Sequence, residues 1–212
     1  MSTNNSQSRF HRLLDFFTAE SARTPEPILH PDQSVNAMMN SGEHSLRRAS
    51  VLIPVTRQTE DHESELVLTV RSENLKSHAG QISLPGGSWE EQDTDSVATA
   101  LRESEEEIGL HAHRVEVLGE LGKMALPSGF HITPVVGVIE SGIEFSPCPI
   151  EVADIFTVPL DLVLDSSAYR STTLHYKQAP IKTLELFYED YRIWGATAAI
   201  LYHLARKIES GN

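Results

Sequence analysis

The stretch from Leu101 to Leu110 reads LRESEEEIGL, and four of its ten residues are glutamates. Two of them, Glu103 and Glu107, are four residues apart, a spacing at which like charges on a helix repel by roughly 0.2–0.5 kcal/mol. Such a segment is either a solvated acidic surface or a place where a bound group neutralises the carboxylates. The direction in which the side chains project from the helix distinguishes these two interpretations.

The residues around this stretch predict a helix from Asp95 to Ile108. Thr94, Asp95 and Ser96 are suited to cap its beginning, and Gly109 is suited to end it in the left-handed conformation. A turn with the sequence LPGG, at positions 84–87, lies shortly upstream. The double glycine next to the acidic helix is a first indication against a merely solvated surface.

At about 100° per residue, the predicted helix has two distinct sides. The apolar side consists of Val97, Leu101, Ser104 and Ile108. The roughly opposite side carries Glu103, Glu106 and Glu107, whereas Glu105 points elsewhere. Arg102 lies one turn before Glu106 and is placed to pair with it. Converging carboxylates suit hard divalent cations such as Mg²⁺ or Mn²⁺, and a bound cation would remove the repulsion. The alternative is an ordinary solvated acidic face.

Composition limits the classes of function that remain open. The chain has 212 residues, enough for one domain with a full core, and a formal net charge of −13. That charge argues against a general nucleic-acid binder, because neutralising phosphates requires a basic surface. The single cysteine, Cys148, excludes an internal disulfide and fits a reducing compartment.

Nothing in the sequence predicts a membrane protein. No segment approaches the roughly 18 apolar residues of a membrane span, and the beginning, MSTNNSQSRF, lacks the apolar centre of a secretory signal. We therefore expect a cytoplasmic protein without membrane or nucleic-acid partners. The sequence leaves the oligomeric state open.

The rest of the chain predicts an α/β protein. Residues 1–48 are expected to form a leader, a short helix around Phe10 to Ala19 and an irregular segment from about Thr24 to Arg48, ahead of one domain at residues 49–209. Apolar runs predict strands at 49–57, 65–72, 115–124, 132–140 and 155–160, and a strand or hairpin in LELFYEDYRI. The segment WGATAAILYHLARKIES predicts a long helix docked on the core. This order predicts an α/β/α sandwich around a mixed central sheet.

The glycine pair and the acidic helix together form a longer pattern, GG…REx₂EEx₁G. It consists of Gly86, Gly87, Arg102, Glu103, Glu106, Glu107 and Gly109. This pattern closely resembles the Nudix box, which marks hydrolases of nucleoside diphosphates linked to another moiety. Two departures stand out. The stretch between glycine and arginine is one residue longer than usual, so the family's intervening glutamate corresponds to Asp93 when counted forward and to Thr94 when counted back. Ser104 replaces a usual aliphatic residue.

A second segment, LTVRSENLKSHAGQISLPGG, resembles the signature of the coenzyme A pyrophosphatase branch of that family. The matching residues are Leu68, Thr69, Arg71, Ser72, Gly80, Pro85, Gly86 and Gly87. Lys76 stands where arginine is usual, and Leu84 where phenylalanine is usual. The later segments HITPVVGVI, EVADIFTVPL and RIWGATAAIL are also similar to that branch, so the resemblance covers about Ala49 to Leu204.

The resemblance implies a Nudix-type fold and a set of site residues. The implied metal ligands are Glu103, Glu106, Glu107 and the carbonyl oxygen of Gly86. The implied catalytic group contains Glu106, Glu107 and Glu151 as alternative general bases, with Arg102 orienting a glutamate. The implied substrate-binding residues are Arg71, Lys76 and His78, which would contact a phosphate. An ordinary surface or loop role is the alternative for Arg71, Lys76 and Glu151.

Three functions are compatible with these residues. The first is metal-dependent hydrolysis of the diphosphate bond of coenzyme A and its thioesters, giving 3′-phosphoadenosine 5′-phosphate and phosphopantetheine or its acyl form. The second is hydrolysis of another nucleotide such as ADP-ribose or NADH. The third is a non-catalytic nucleotide-binding module, which ranks last because such modules commonly lose box glutamates and this chain keeps all three. Arg71 and Lys76, opposed by Glu73 alone between Leu66 and Gly87, favour the first.

Overall fold

The computed structural model describes residues 7–20, 24–40, 46–176 and 179–211. Its α-helices in these ranges are α1 (Arg9–Glu20), α2 (Gln33–Asn40), α3 (Ser96–Ile108), α4 (Leu160–Val163) and α5 (Ala196–Ser210). Its strands are β1 (Arg47–Thr56), β2 (Glu65–Arg71), β3 (Ile82–Ser83), β4 (Gly86–Ser88), β5 (Val115–Glu120), β6 (Met124–Ala125), β7 (Phe130–Ile139), β8 (Val152–Pro159), β9 (Arg170–Tyr176), β10 (Ala179–Tyr188) and β11 (Tyr191–Trp194). No helix of the described residues is long and apolar enough to cross a membrane.

The central sheet is mixed, as the sequence predicts. Its main strand order is β3-β2-β1-β7-β5, with β4 beside β1, β6 beside β7 and β8 beside β2. β1 and β7 run parallel over ten paired positions, from Arg47 with Phe130 to Thr56 with Ile139. The other pairs of this sheet are antiparallel. The parallel pair at the centre is buried on both faces, which explains its nearly continuous apolar sequence.

Two hydrophobic cores lie on opposite faces of the sheet. Consecutive residues of a strand point to opposite faces, so Leu52 and Ile53 of β1, both fully buried, belong to different cores. The smaller core, around Leu52, contains Ala100 and Ile108 of α3. The larger core, around Ile53, contains α5 and residues of α1. Helices therefore cover both faces, and the predicted α/β/α layering is confirmed.

Most predicted elements are present, with shifted ends. The predicted strand at 115–124 is divided into β5 and β6. Between them, the chain around Glu26 passes so close to Gly122 that no side chain would fit there. The predicted strand at 155–160 begins earlier, at Val152, and ends at Pro159. The LELFYEDYRI segment is a hairpin in which β10 pairs antiparallel with β11. The predicted N-terminal and C-terminal helices correspond to α1 and α5.

Several elements lie where the sequence predicted none. The segment 24–48, predicted to be irregular, contains α2 and the first residues of β1. β9 had no strand prediction, because its sequence RSTTLHY has few apolar residues; it is held in a second, three-stranded sheet by antiparallel pairing with β10. The loop predicted upstream of the acidic helix also contains the short strands β3 and β4.

Candidate active site

The acidic helix α3 begins and ends as its sequence predicts. The side chain of Asp95, the N-cap residue, accepts a hydrogen bond of 2.8 Å from the Ala98 N–H. Gly109 ends the helix with a φ angle of 69°, and its N–H bonds to carbonyl oxygens of the last turn. The left-handed conformation is one that glycine adopts without steric cost.

The three glutamate side chains do not all lie on the predicted side of the helix. Glu107 is almost completely buried, with 3% of its side chain exposed, whereas Glu103 is 13% and Glu106 is 59% exposed. The buried side of α3 also includes Thr99, Ala100, Ser104 and Ile108. The small side chains of Ala100 and Ser104 let the helix lie close to β1 and β4, which turns Glu107 toward the sheet. The prediction that Glu107 lies on the side opposite the apolar residues is therefore wrong, because Glu107 shares the buried side of the helix with Ser104 and Ile108.

Arg102 organises the outer part of this edge. Its guanidinium donates to Glu103 at 3.1 Å and to Glu106 at 3.0 Å, so the predicted i,i+4 pair is present. It also donates to the carbonyl oxygen of Ser88 at 2.9 Å. Charge-assisted bonds of this kind fix the direction of both partners. Arg102 thus holds two of the candidate metal ligands and the strand β4 in one arrangement.

Asp93 anchors Arg102 from the other side. Its two carboxylate oxygens accept hydrogen bonds from Arg102 Nε at 3.0 Å and Nη2 at 3.1 Å. The buried carboxylate also accepts from the Thr99 hydroxyl and the Glu90 N–H. The bond from Arg102 is the main reason why the pKa of Asp93 falls to about 2. The sequence left Asp93 and Thr94 as alternatives for the family's intervening glutamate, and of these two residues the structure pairs Asp93 with Arg102.

Glu107 has the most unusual environment of the acidic residues. It accepts a hydrogen bond of 3.0 Å from the Gly86 N–H, and its other oxygen lies 3.8 Å from Arg71 Nη1. Burial nevertheless raises its pKa to about 7, and the charges of Glu103 and Glu151 add to this increase. The hydrogen bond from Gly86 and the charge of Arg71 lower the pKa of Glu107, but by less than burial raises it. A buried carboxylate of this kind gains greatly from a cation placed beside it.

The glycine pair allows the carboxylates to approach the backbone. A Cβ atom at Gly87 would collide with the carboxylate of Glu103. A Cβ atom at Gly86, whose φ angle is 151°, would collide with the carbonyl oxygen of Ser50 in β1. Gly86 therefore requires glycine on steric grounds, whereas a Cβ at Gly87 would displace the Glu103 carboxylate from its observed position. The close approach builds a cradle of carboxylate and backbone oxygens at the start of β4.

Glu151 comes to the site through the backbone of its loop. The Ser72 N–H donates to the carbonyl oxygen of Glu151 at 2.8 Å, and the Cys148 N–H donates to the carbonyl oxygen of Glu107 at 2.8 Å. The exposed side chain of Glu151 lies near enough for its charge to raise the pKa of both Glu103 and Glu107. The structure thus brings together residues that are 44 positions apart in sequence.

A comparison with known protein families agrees with these features. The family model of the NUDIX domain matches residues 46–172. The chain belongs to the Nudix hydrolase family. Relatives from Yersinia pestis (strain Pestoides F) and Yersinia pseudotuberculosis serotype O:1b (strain IP 31758), both named Uncharacterized Nudix hydrolase NudL, are 41% identical over 162 residues, which cover 76% of this chain and 80% of theirs.

Solved structures show the same fold. The Nudix hydrolase RenU from M. smegmatis has a TM-score of 0.53 at 20% identity, over 77% of this chain and 86% of that protein. The MutT protein from Methanosarcina mazei Go1 has a TM-score of 0.50 at 18% identity, over 80% of this chain and 99% of that protein. The predicted Nudix-type mixed α/β architecture is thereby confirmed.

The predicted substrate residues of this Nudix hydrolase differ in how close they lie to the box. Arg71 ends β2 at a shift in the pairing register with β8, and its guanidinium points to Glu107. Its Nε atom is buried and has no hydrogen-bond partner among the described residues. Lys76 and His78 are exposed on the loop between β2 and β3, where the His78 ring bonds to the side chain of Gln81 at 2.9 Å. Within the described residues, neither forms an ion pair with a box glutamate.

Nudix enzymes generally use divalent metal ions, and the oxygen atoms of the box glutamates and of Gly86 suit such a cation. Among the described residues, no three His, Cys, Asp or Glu side chains are arranged as a ready cluster. The reason is visible in their partners: Glu103 and Glu106 bond to Arg102, and Glu107 bonds to the Gly86 N–H. The ligand atoms are hard oxygens, the type that Mg²⁺ and Mn²⁺ prefer, and one of them belongs to a buried carboxylate. The chemistry of the site therefore fits such a cation.

Proposed function

We propose that this Nudix hydrolase cleaves the diphosphate bond of coenzyme A and its thioesters. The observation that carries this proposal is the position of Arg71. Its guanidinium lies 3.8 Å from the buried Glu107, and its buried Nε atom has no partner within the part of the chain that the structure describes. A cation with an unused donor, beside carboxylates suited to divalent ions, is what a substrate with more than one phosphate group requires.

The box supplies the charge that cleavage of a diphosphate needs. Mg²⁺ or Mn²⁺ held by Glu103, Glu106 and Glu107, with the carbonyl oxygen of Gly86 as a further ligand, would neutralise phosphoryl oxygens and lower the pKa of a bound water. Arg102 keeps Glu103 and Glu106 in place through its hydrogen bonds.

The general base is one of three glutamates. Glu106 and Glu107 belong to the box, and Glu151 reaches it from the loop before β8. Glu151 is the one whose side chain is exposed and makes no ion pair among the described residues, which leaves it free to accept a proton from water.

Substrate choice follows from the cations beside the box. Coenzyme A carries a phosphate monoester at the 3′ position in addition to its diphosphate. Arg71, Lys76 and His78 lie on β2 and the loop that follows it, and the backbone of Arg71 bonds to both Gly80 and Gln81 at the end of that loop. This closed loop carries Lys76 and His78 as exposed groups that a phosphate can reach. The products would be 3′-phosphoadenosine 5′-phosphate and phosphopantetheine or its acyl form.

The decisive experiment is a substrate panel with Mg²⁺ and with Mn²⁺, in which products are identified by mass. It should contain coenzyme A, an acyl-coenzyme A, dephospho-coenzyme A, ADP-ribose and NADH. We expect the highest kcat/KM for coenzyme A or its thioester, with mass peaks for both proposed products. A higher kcat/KM for ADP-ribose or NADH would replace the proposal with the alternative that the enzyme acts on another nucleotide.

A further inference from the structure

A small polar pocket lies at the beginning of α3, at the opposite end of the helix from Glu107. Its lining residues are Arg48, Ala49, Ser50, Trp89, Ser96, Lys123, His131 and Thr133. Ser96 precedes Glu103 by seven residues, which is roughly 10 Å along a helix that rises 1.5 Å per residue. The pocket therefore lies at the other end of α3 from the carboxylates, although its Ser50 is paired with Gly87 in the β1–β4 ladder. None of the glutamates or the arginine of the Nudix box lines it.

The floor of this pocket consists of two largely buried residues that carry hydroxyl groups. Ser50 of β1 and Thr133 of β7 face each other in the parallel pairing of these strands. Ser50 is 3% exposed and Thr133 is 4% exposed. Neither hydroxyl has a hydrogen-bond partner among the described residues, although both line the cavity. Because both hydroxyls face the cavity, they are available to form hydrogen bonds with a group bound there.

The walls of the pocket are cationic. The Arg48 guanidinium lies 4.6 Å from the centre of the Trp89 ring, which holds it at one side of the opening. Lys123 lies at the other side, and its charge, after burial, lowers the pKa of His131. Among the described residues, no carboxylate forms an ion pair with Arg48 or Lys123. In a chain with a net charge of −13, two unpaired cations beside one cavity mark a local positive potential.

The beginning of α3 contributes further donors. The side chain of Asp95 accepts a hydrogen bond from the Ala98 N–H, and its carbonyl oxygen accepts one from the Thr99 N–H. The N–H groups of Ser96 and Val97 have no acceptor among the described residues. Free N–H groups at the start of a helix favour an anion, and the helix dipole adds to this preference. The Asp95 carboxylate is an opposing charge at this end of the helix, and it accepts a hydrogen bond from the Ala98 N–H of its own helix.

We propose that this pocket binds a phosphate monoester group. Two permanent cations match a dianion, and the hydroxyls of Ser50 and Thr133 match the several acceptor oxygens of a phosphate. The cavity volume is about 10 Å³, about the space that one water-sized group occupies. One phosphate oxygen would therefore enter the floor, and the remaining oxygens would lie between Arg48 and Lys123. The inference does not depend on coenzyme A being the substrate.

Binding can be measured at Trp89 itself. The chain has two tryptophans, so the indole N–H resonances in a ¹⁵N spectrum are assigned with Trp194→Phe. Inorganic phosphate is titrated against chloride at constant ionic strength, with EDTA present so that the metal site does not contribute. We expect a saturable shift of the Trp89 resonance. The dissociation constant should rise about tenfold in Arg48→Gln and in Lys123→Gln, because each removes a charge-assisted hydrogen bond.

Arg114→Gln is the matched control, since Arg114 is exposed and forms no ion pair among the described residues. It should leave the dissociation constant unchanged. Arg48 and Lys123 are both exposed, so their variants should fold, and circular dichroism verifies this. A Trp89 resonance that does not respond to phosphate would overturn the proposal. So would equal affinities in the wild type and both pocket variants.

A second titration identifies where the phosphate comes from. Coenzyme A and dephospho-coenzyme A, which differ by one phosphate monoester, replace inorganic phosphate in the same EDTA buffer. A Trp89 shift with coenzyme A alone assigns the pocket to a phosphate of the substrate. A shift with inorganic phosphate but with neither nucleotide assigns it to a free anion. Turnover is not needed, so the result is independent of the substrate panel.

Discussion

Replacing Asp93 by asparagine is expected to lower the free energy of unfolding by about 2 kcal/mol at neutral pH. Asparagine has the shape of a protonated aspartate, so the change measures the worth of the charge. In the folded protein the pKa of Asp93 falls from 3.8 to about 2, chiefly through its hydrogen bond with Arg102. At 1.36 kcal/mol per pKa unit, this difference corresponds to about 2 kcal/mol. Little solvent screening is expected, because 3% of the side chain is exposed.

The pH dependence of this loss follows from the direction of the shift. A carboxylate whose pKa is lowered by folding contributes its full stability above its unfolded pKa of 3.8 and loses it as the pH falls toward 2. The difference in unfolding free energy between wild type and Asp93→Asn should therefore be constant from neutral pH down to about 5, and should become smaller between about pH 4 and 2. The assay is urea denaturation across this range, with EDTA present, followed by circular dichroism.

Turnover should fall as well, by about 10–100-fold in kcat, because Arg102 loses the anchor that orients Glu103 and Glu106. Asp93→Glu, which keeps the charge, should recover part of the kcat. Thr94→Ala is the control, since Thr94 is exposed and forms no hydrogen bond among the described residues; it should change the unfolding free energy by less than about 0.5 kcal/mol. A gap that does not narrow in acid, or an equal loss in Thr94→Ala, would refute the role given to the Asp93 charge.

Three further predictions concern the box and the substrate. Chelator should abolish activity and Mg²⁺ or Mn²⁺ should restore it; Glu106→Gln or Glu107→Gln should lower kcat at least about 10²-fold, whereas Glu105→Gln should not, and normal turnover in both box variants would remove them as ligands. Millimolar Mg²⁺ should raise the melting temperature, because it binds the native state alone, with a smaller rise in Glu103→Gln; identical rises would assign the stabilisation to another site. Lys76→Ala should raise KM for coenzyme A more than for dephospho-coenzyme A, and the difference should correspond to about 1–2 kcal/mol of binding free energy. Equal effects on the two substrates would show that Lys76 does not contact the 3′-phosphate.

The elements that the sequence predicted well are those with local signals. α3 has a capping aspartate, a terminal glycine and a 3.6-residue period, and β1 and β7 are long apolar runs. β9 and α2 lack such signals. β9 is a polar strand that is held by its pairing with β10, and the composition of one strand does not reveal its pairing with another.

The sequence by itself determined the family resemblance, the acidic helix and the identity of the residues that meet there. Only the tertiary structure decided how those residues are used. Of Asp93 and Thr94, it is Asp93 that bonds to Arg102. Glu107 is buried against the sheet, and this burial raises its pKa to about 7. A helical projection reports the angle of each side chain around its own axis. It does not report which side of the helix meets the sheet, because Gly86, Arg71 and Glu151 reach Glu107 from other segments of the chain.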